Sequence, residues 1–247
     1  MSGKEILEIG ELFQADLENA VSQKKNCVTP IISRSPQGNL SVLGSATFLK
    51  LGVGRFLCTA KHVIEASCND TICLIKEERL VEIEKNKLLL SDELDLAIGY
   101  IHGDFIPNEI SFLDEADFLS EIKFPKGLAA IIGYPTSKGN YNKQKKLLNI
   151  TATLVSGKID AVFLNEVQFF FNKNRFNVRG QKVKIIAPDP YGMSGGAILV
   201  LEALQILSSD PQVKIIGIAT DWVRDDLIIK GLPIWSIVKF IENNFDL

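Results

Sequence analysis

Three residue types placed at three distinct points of the chain could together carry acyl transfer. The first is Ser194, in Asp189-Pro190-Tyr191-Gly192-Met193-Ser194-Gly195-Gly196, with the apolar run from Ala197 following at once. A serine wrapped in glycines can present its hydroxyl, together with backbone N–H groups that no Cβ shields. That pairs a nucleophile with donors for a developing oxyanion. The second is His62, at the end of the strand-like Arg55-Phe56-Leu57-Cys58-Thr59-Ala60; an imidazole can move protons near neutral pH. The third is Asp95, which opens the apolar run Leu96-Ala97-Ile98. A carboxylate there is partly buried and needs a partner, for which an imidazole N–H would serve. Each has a plainer reading: a glycine-rich turn facing water, a structural histidine, an edge-strand aspartate capping a turn. The other histidine, His102, stands before Gly103-Asp104 and reads as surface.

The elements that must position these groups read as strands. Hydrophobic content of 46% with 23% charge in 247 residues supports a sizeable core and excludes a disordered chain. The net charge of −3 gives no pull toward nucleic acid or anionic lipid, so neither nucleic acid nor a membrane is expected as a partner. The N-terminus shows no secretory pattern, and no apolar run is long enough to span a bilayer, so the expected compartment is cytoplasmic. The four cysteines (Cys27, Cys58, Cys68, Cys73) lack metal-ligand spacing; no metal or cofactor is expected, and buried free thiols are.

In chain order, apolar residues at spacings of three and four over residues 4–23 predict an amphipathic helix, packed on the body or docking a partner. Val28 to Ile32 and Leu40 to Gly44 flank a Ser-Pro-Gln-Gly-Asn turn, and a second strand pair leads to His62. Alternating residues 71–91 predict more antiparallel strand with one wet face. The acidic segment ending at Pro125-Lys126-Gly127 reads as a linker. Strands then follow at Leu128 to Gly133, Leu147 to Val155, Ala161 to Phe163, Val167 to Phe171, Val183 to Ile186, Ala197 to Leu207 (a strand with room for a helical turn) and Val213 to Thr220. The basic stretch from Lys173 to Lys184 is a solvated face or a site for an acidic group. A helix starting at Pro233 closes the chain. The expected fold class is all-β, two antiparallel Greek-key β-barrels with an N-terminal and a C-terminal helix. Its divisions are residues 1–25 (helix), 26–112 (first barrel, His62 and Asp95), 113–126 (linker), 127–232 (second barrel, Ser194) and 233–247 (helix).

Thr59-Ala60-Lys61-His62-Val63, Asp95-Leu96-Ala97 and Gly192-Met193-Ser194-Gly195-Gly196, in that order, make the chain resemble the trypsin-like (chymotrypsin-fold) serine proteases, above all the compact bacterial members. The resemblance covers roughly residues 28–245 and implies a serine endopeptidase working through an acyl-enzyme. It assigns Ser194 as nucleophile, His62 as proton carrier with Nε2 facing the serine, and Asp95 as the group that orients the ring. It also implies an oxyanion hole from the N–H groups of Gly192 and Ser194, and a Thr220 hydroxyl supporting Asp95. The implied substrate pocket has the uncharged Pro188 at its base and Thr220 and Trp222 at its wall and rim, which suggests small or apolar residues at the cleaved position; Asp189 or Asp221 reaching in would restore a basic preference. Met193 stands where zymogen-forming relatives carry the aspartate that pairs with a new N-terminus, and Val63 where secreted relatives carry cysteine. The resemblance implies a protein or peptide substrate inside a bacterial cell, with a regulatory protein partner and service in stress or antiviral defence as its widest reach. The competing expectation is a catalytically inactive trypsin-fold module that grips a peptide by strand addition.

Overall fold

The computed structural model describes residues 16–76, 79–102, 110–119, 128–142, 147–171, 189–201 and 212–246. Residues 16–23 are helical (α1), with Leu17, Ala20 and Val21 buried as the periodicity requires. Two antiparallel β units follow. The first is a seven-stranded half-barrel built from β1 (Val28–Arg34), β2 (Leu40–Leu51), β3 (Gly54–Ala60), β4 (Thr71–Lys76), β5 (Arg79–Ile83), β6 (Leu88–Ser91) and β7 (Leu96–Tyr100). Its strand order is β5-β4-β1-β2-β3-β7-β6, and a short helix α2 (Lys61–Glu65) follows β3.

The second unit is a closed six-stranded barrel. Its strands are β8 (Leu128–Gly133), β11 (Thr153–Val162), β12 (Val167–Phe170), β13 (Ala197–Leu201), β14 (Val213–Val223) and β15 (Ile228–Pro233). The hairpin β9 (Asn140–Asn142) and β10 (Leu147–Asn149) hangs off it. The helix α3 (Ile234–Asn244) ends the described chain, entered through Pro233 in extended conformation. Among the described residues no helix is long and apolar enough to cross a membrane.

The sequence expectation of two antiparallel β units flanked by helices holds, with the second unit closed and the first a half-barrel. Some details differ. The expected strand from Leu147 to Val155 is broken into β10 and the start of β11, because Asn149 ends the hairpin. The β15 strand was not legible, since the lysine, glycine and proline in Ile-Ile-Lys-Gly-Leu-Pro disguise it. The described part of the expected linker is no free tether: Leu113 is buried and bridges Leu49, and Phe118 bridges Ile215. Cys27, Cys58 and Cys73 are buried free thiols, whereas Cys68 is exposed, carried out by a turn. Burial pushes the Cys27 thiol up to about 12, away from any thiolate chemistry at neutral pH. Residues 1–15 of the expected helix, Val183 to Ile186, the basic stretch from Lys173 to Lys184 and residues 202–207 of the expected strand from Ala197 lie outside the described residues.

Three apolar clusters make the core. One fills the half-barrel around Ile31, Phe48, Ile72 and Leu74, and one fills the closed barrel around Ile131, Phe169, Ile198 and Ile216. The third runs between the two units, joining Leu49, Phe56 and Ile98 of the first to Ile132, Leu199 and Ile215 of the second, with Leu17 of α1 and Ile237 and Ile241 of α3 sealing it.

Candidate active site

Strand pairing brings the three chemical residues to one place. In the half-barrel Ala60 lies opposite Leu96, so His62, two residues beyond the end of β3, meets Asp95, one residue before β7. In the closed barrel Ala197 lies opposite Ile218, so Ser194, just ahead of β13, meets Thr220 of β14.

Asp95 sits at φ +47°, a left-handed conformation that aspartate tolerates better than most side chains. The turn aims its carboxylate back at α2. Oδ1 accepts the His62 backbone N–H at 3.0 Å, and Oδ2 lies 2.7 Å from His62 Nδ1. The first contact also caps α2, whose own N-cap, Ala60, has no side chain to do so. With Nδ1–H donating to Asp95, the neutral ring has its lone pair on Nε2. Asp92, three residues earlier in the chain, is tied to Lys61 instead. The hydrogen bond from Asp95 raises the His62 pKa above its ordinary value, with Asp221 and Glu65 adding smaller like-directed pulls against the opposing effect of burial.

The sign of that shift has two consequences. The stabilisation from the pair is fully present below about pH 6.5 and is lost as pH rises through the higher folded value. Any activity that needs the neutral ring runs the other way. We expect kcat/KM for peptide cleavage to rise with pH along a limb centred above 6.5. A pH–rate profile measures this, and a limb centred below 6 would mean that the pair does not govern turnover.

Around Ser194 the backbone is held from both units. Gly192 and Gly195 have φ of +92° and +87°, and a Cβ at Gly195 would run into Ser45 O, so only glycine fits there. Four successive peptide N–H groups divide into two kinds. Met193 N–H donates to Pro190 O at 2.9 Å and Gly195 N–H to Ala219 O at 2.7 Å. Gly192 N–H and Ser194 N–H have no acceptor among the described residues, yet the carbonyls of their peptide planes are fixed: Tyr191 O accepts from Thr136 N (2.9 Å) and Met193 O from Gly196 N (2.8 Å). The pair expected as oxyanion donors is thus the pair left open.

His62, Gly192, Met193 and Ser194 line one cavity of about 260 Å³. The expected hydrogen bond between His62 Nε2 and Ser194 Oγ is absent. The serine hydroxyl donates instead to Thr220 O at 2.8 Å. A register shift between Ala219 and Asp221 makes Thr220 a bulge in β14, which leaves its carbonyl outside the ladder as a ready acceptor. Thr220 therefore enters the site through its carbonyl. No hydrogen bond joins its hydroxyl to Asp95, contrary to the expectation. Trp222 lines the cavity as expected, with the Arg224 guanidinium 5.0 Å from its ring centroid, and Pro188 lies outside the described residues. A larger cavity of about 350 Å³ at the open edge of the half-barrel includes His102, which is exposed and packs edge-on to Tyr100, but none of the three chemical residues.

Sequence reasoning missed the groups that support the serine loop. Ser45 and Thr47 project from one face of β2 and are fully buried. Ser45 N donates to Ser194 O (2.8 Å), Ser45 Oγ to Gly192 O (3.2 Å) and Thr47 Oγ1 to Gly195 O (2.8 Å). Two hydroxyl residues spaced by two within the otherwise apolar run from Val42 to Leu49 were the available signal.

No family model matches the chain, and no curated protein matches it. Among solved structures, a chain from work on how aromatic interactions drive the coupled folding and binding of the intrinsically disordered Sesbania mosaic virus VPg protein is similar, with a TM-score of 0.52 at 14% identity, covering 86% of this chain and 89% of that one. At that identity the likeness is one of fold: an all-β chain rich in barrel strands.

Proposed function

We propose that this protein is a serine endopeptidase of the trypsin-like kind, cutting a protein or peptide substrate through an acyl-enzyme. The observation that carries the reading is the pair of open N–H groups on Gly192 and Ser194, held by their own carbonyls beside a serine hydroxyl that shares its cavity with a histidine engaged by Asp95. Ser194 Oγ turns from Thr220 O toward His62 Nε2 and attacks the scissile carbonyl carbon, while its proton passes to Nε2. The negative charge that forms on the carbonyl oxygen is received by the two open N–H groups. The C–N bond then breaks, and the amine leaves with the proton from His62. Water, activated by the same ring, cleaves the Ser194 ester and releases the acid. Asp95 stabilises the imidazolium throughout.

One observation favours a second reading, the inactive peptide-gripping module: the serine hydroxyl is bonded to Thr220 O and not to the ring. Covalent labelling of Ser194 by a fluorophosphonate separates the two, since a module without an activated serine is not labelled.

The cavity walls bear on the substrate. Met193, Ala219, Trp222 and Ile229 supply an apolar lining. Asp189 is not part of the cavity lining and meets Arg224 at 3.4 Å, whereas Asp221, whose carboxylate accepts Trp222 N–H at 2.8 Å, stands exposed at the cavity wall. We therefore expect small or apolar residues at the cleaved position in a peptide-library profile. A tenfold preference for Lys or Arg, worth about 1.4 kcal/mol, would mean that Asp221 sets the specificity.

A further inference from the structure

Gly192 is the hinge of the open donor pair, because a glycine at positive φ can swing either adjoining peptide plane at little cost. Both planes are held, and from different units of the fold. The Tyr191–Gly192 plane is fixed by Thr136 N donating to Tyr191 O at 2.9 Å. In a trans peptide the N–H points opposite the C=O, so this bond turns Gly192 N–H away from Thr136, and Gly192 is one of the residues that line the cavity. The Gly192–Met193 plane is held at both ends, by Met193 N–H donating to Pro190 O at 2.9 Å and, from the other unit, by Ser45 Oγ donating to Gly192 O at 3.2 Å. Ser45 also accepts Tyr134 N–H on the same oxygen at 2.8 Å, and its carbonyl takes Thr59 Oγ1 at 2.6 Å, so the side chain has little freedom to leave. Met193, buried in the closed-barrel cluster, adds no charge that could anchor the loop.

We propose that Ser45, through its hydroxyl, and Thr136, through its backbone N–H, are positioning residues that set the two peptide planes flanking Gly192 and thereby aim its N–H for the oxyanion. The assignment rests on the peptidase reading above. Neither residue touches the substrate; each acts through the carbonyl it holds. Because Ser45 belongs to β2 and the loop to the second unit, the donor pair is assembled by the contact between the units.

The test uses the full chain, a fluorophosphonate, and a chromogenic peptide substrate selected on the wild type. Ser45→Ala deletes the hydroxyl alone. It is expected to lower kcat and the labelling rate at least tenfold, approaching the hundredfold typical of a lost oxyanion donor, with KM within about twofold. Thr136→Pro removes the N–H together with the threonine side chain and sets a ring carbon where the amide hydrogen met Tyr191 O, so it is read only against Thr136→Ala. Pro135 already holds the extended conformation that a following proline demands, and Thr136 opens a helical turn where proline is accepted. It should fall tenfold or more below Thr136→Ala, which keeps the amide. A folded Ser45→Ala protein with kcat within twofold of wild type, or with its whole loss in KM, overturns the proposal. Should Ser45→Ala fail to fold, the comparison of the two Thr136 variants decides it, and equal kcat values overturn it. A wild type that neither cleaves nor is labelled removes the peptidase reading and this inference with it. An active wild type matched by its variants removes this inference alone.

Discussion

Replacing Ser194 by alanine is expected to abolish fluorophosphonate labelling and to cut kcat for peptide cleavage by a factor on the order of 10⁶. The structure explains why the fold should tolerate the change. The backbone of Ser194 is held by its carbonyl on Ser45 N and by the neighbouring Gly195 N–H on Ala219 O, neither of which involves the hydroxyl. The side chain makes a single hydrogen bond, to Thr220 O, so its removal costs about 1 kcal/mol of stability. What disappears is the proposed nucleophile, while the open N–H pair proposed to receive the oxyanion stays. The alanine protein should therefore melt near the wild type and still bind peptide. Thermal unfolding, labelling and product mapping together check this. An alanine variant that cuts the same bond would take Ser194 out of the mechanism.

Asp95→Asn should lose about 10⁴ in kcat with the geometry almost unchanged. Asparagine tolerates φ near +47° as aspartate does, so the turn before β7 survives. The carboxylate, however, accepts two hydrogen bonds, one from His62 N–H and one from Nδ1–H. A carboxamide has one oxygen and one NH₂. With its oxygen on the backbone N–H it presents a donor to Nδ1, and the ring answers by carrying its proton on Nε2, where it can no longer act as a base. The loss of the anion also removes the main upward pull on the His62 pKa, so the pH limb should move down. Steady-state kinetics across pH test both halves of the statement. A loss smaller than tenfold would mean that Asp95 caps α2 and does little else.

How much of this was readable beforehand varies by residue. Ser194 and its glycines were legible because positive φ and close approach leave glycine as the one choice, and chemistry of that kind prints itself on the sequence. Asp95 was distinguishable from Asp92 because an apolar strand follows it at once, whereas Asp92, which pairs with Lys61, sits in a polar turn. The strand ends that carry His62 and Asp95 followed from the apolar runs of β3 and β7. Ser45 was not found, because a serine in a strand reads as a solvent-facing residue unless the partner of its hydroxyl, here a carbonyl 147 positions away, is known. Thr136 was hidden for a deeper reason: it acts through an amide that every residue but proline possesses. The contribution of Thr220 depends on a bulge, and a one-residue slip in a ladder leaves no mark on composition or period. The half-barrel likewise depends on which strands meet at the edge, a long-range matter that local alternation does not encode.

The apolar cluster that joins the two units constrains how the molecule can move. Units of a chain that meet over a small polar surface hinge freely, and many clefts open and close in that way. Here Leu49, Phe56 and Ile98 on one side and Ile132, Leu199 and Ile215 on the other form one dry seam, closed by α1 and α3. Parting the units would expose that seam to water, at roughly 25 cal/mol for every Å² uncovered. The two units thus lack separate stabilities in any useful sense. They are expected to melt together, which calorimetry would record as a single transition. Adaptation to a substrate is left to side-chain rotation and to the loops at the rim.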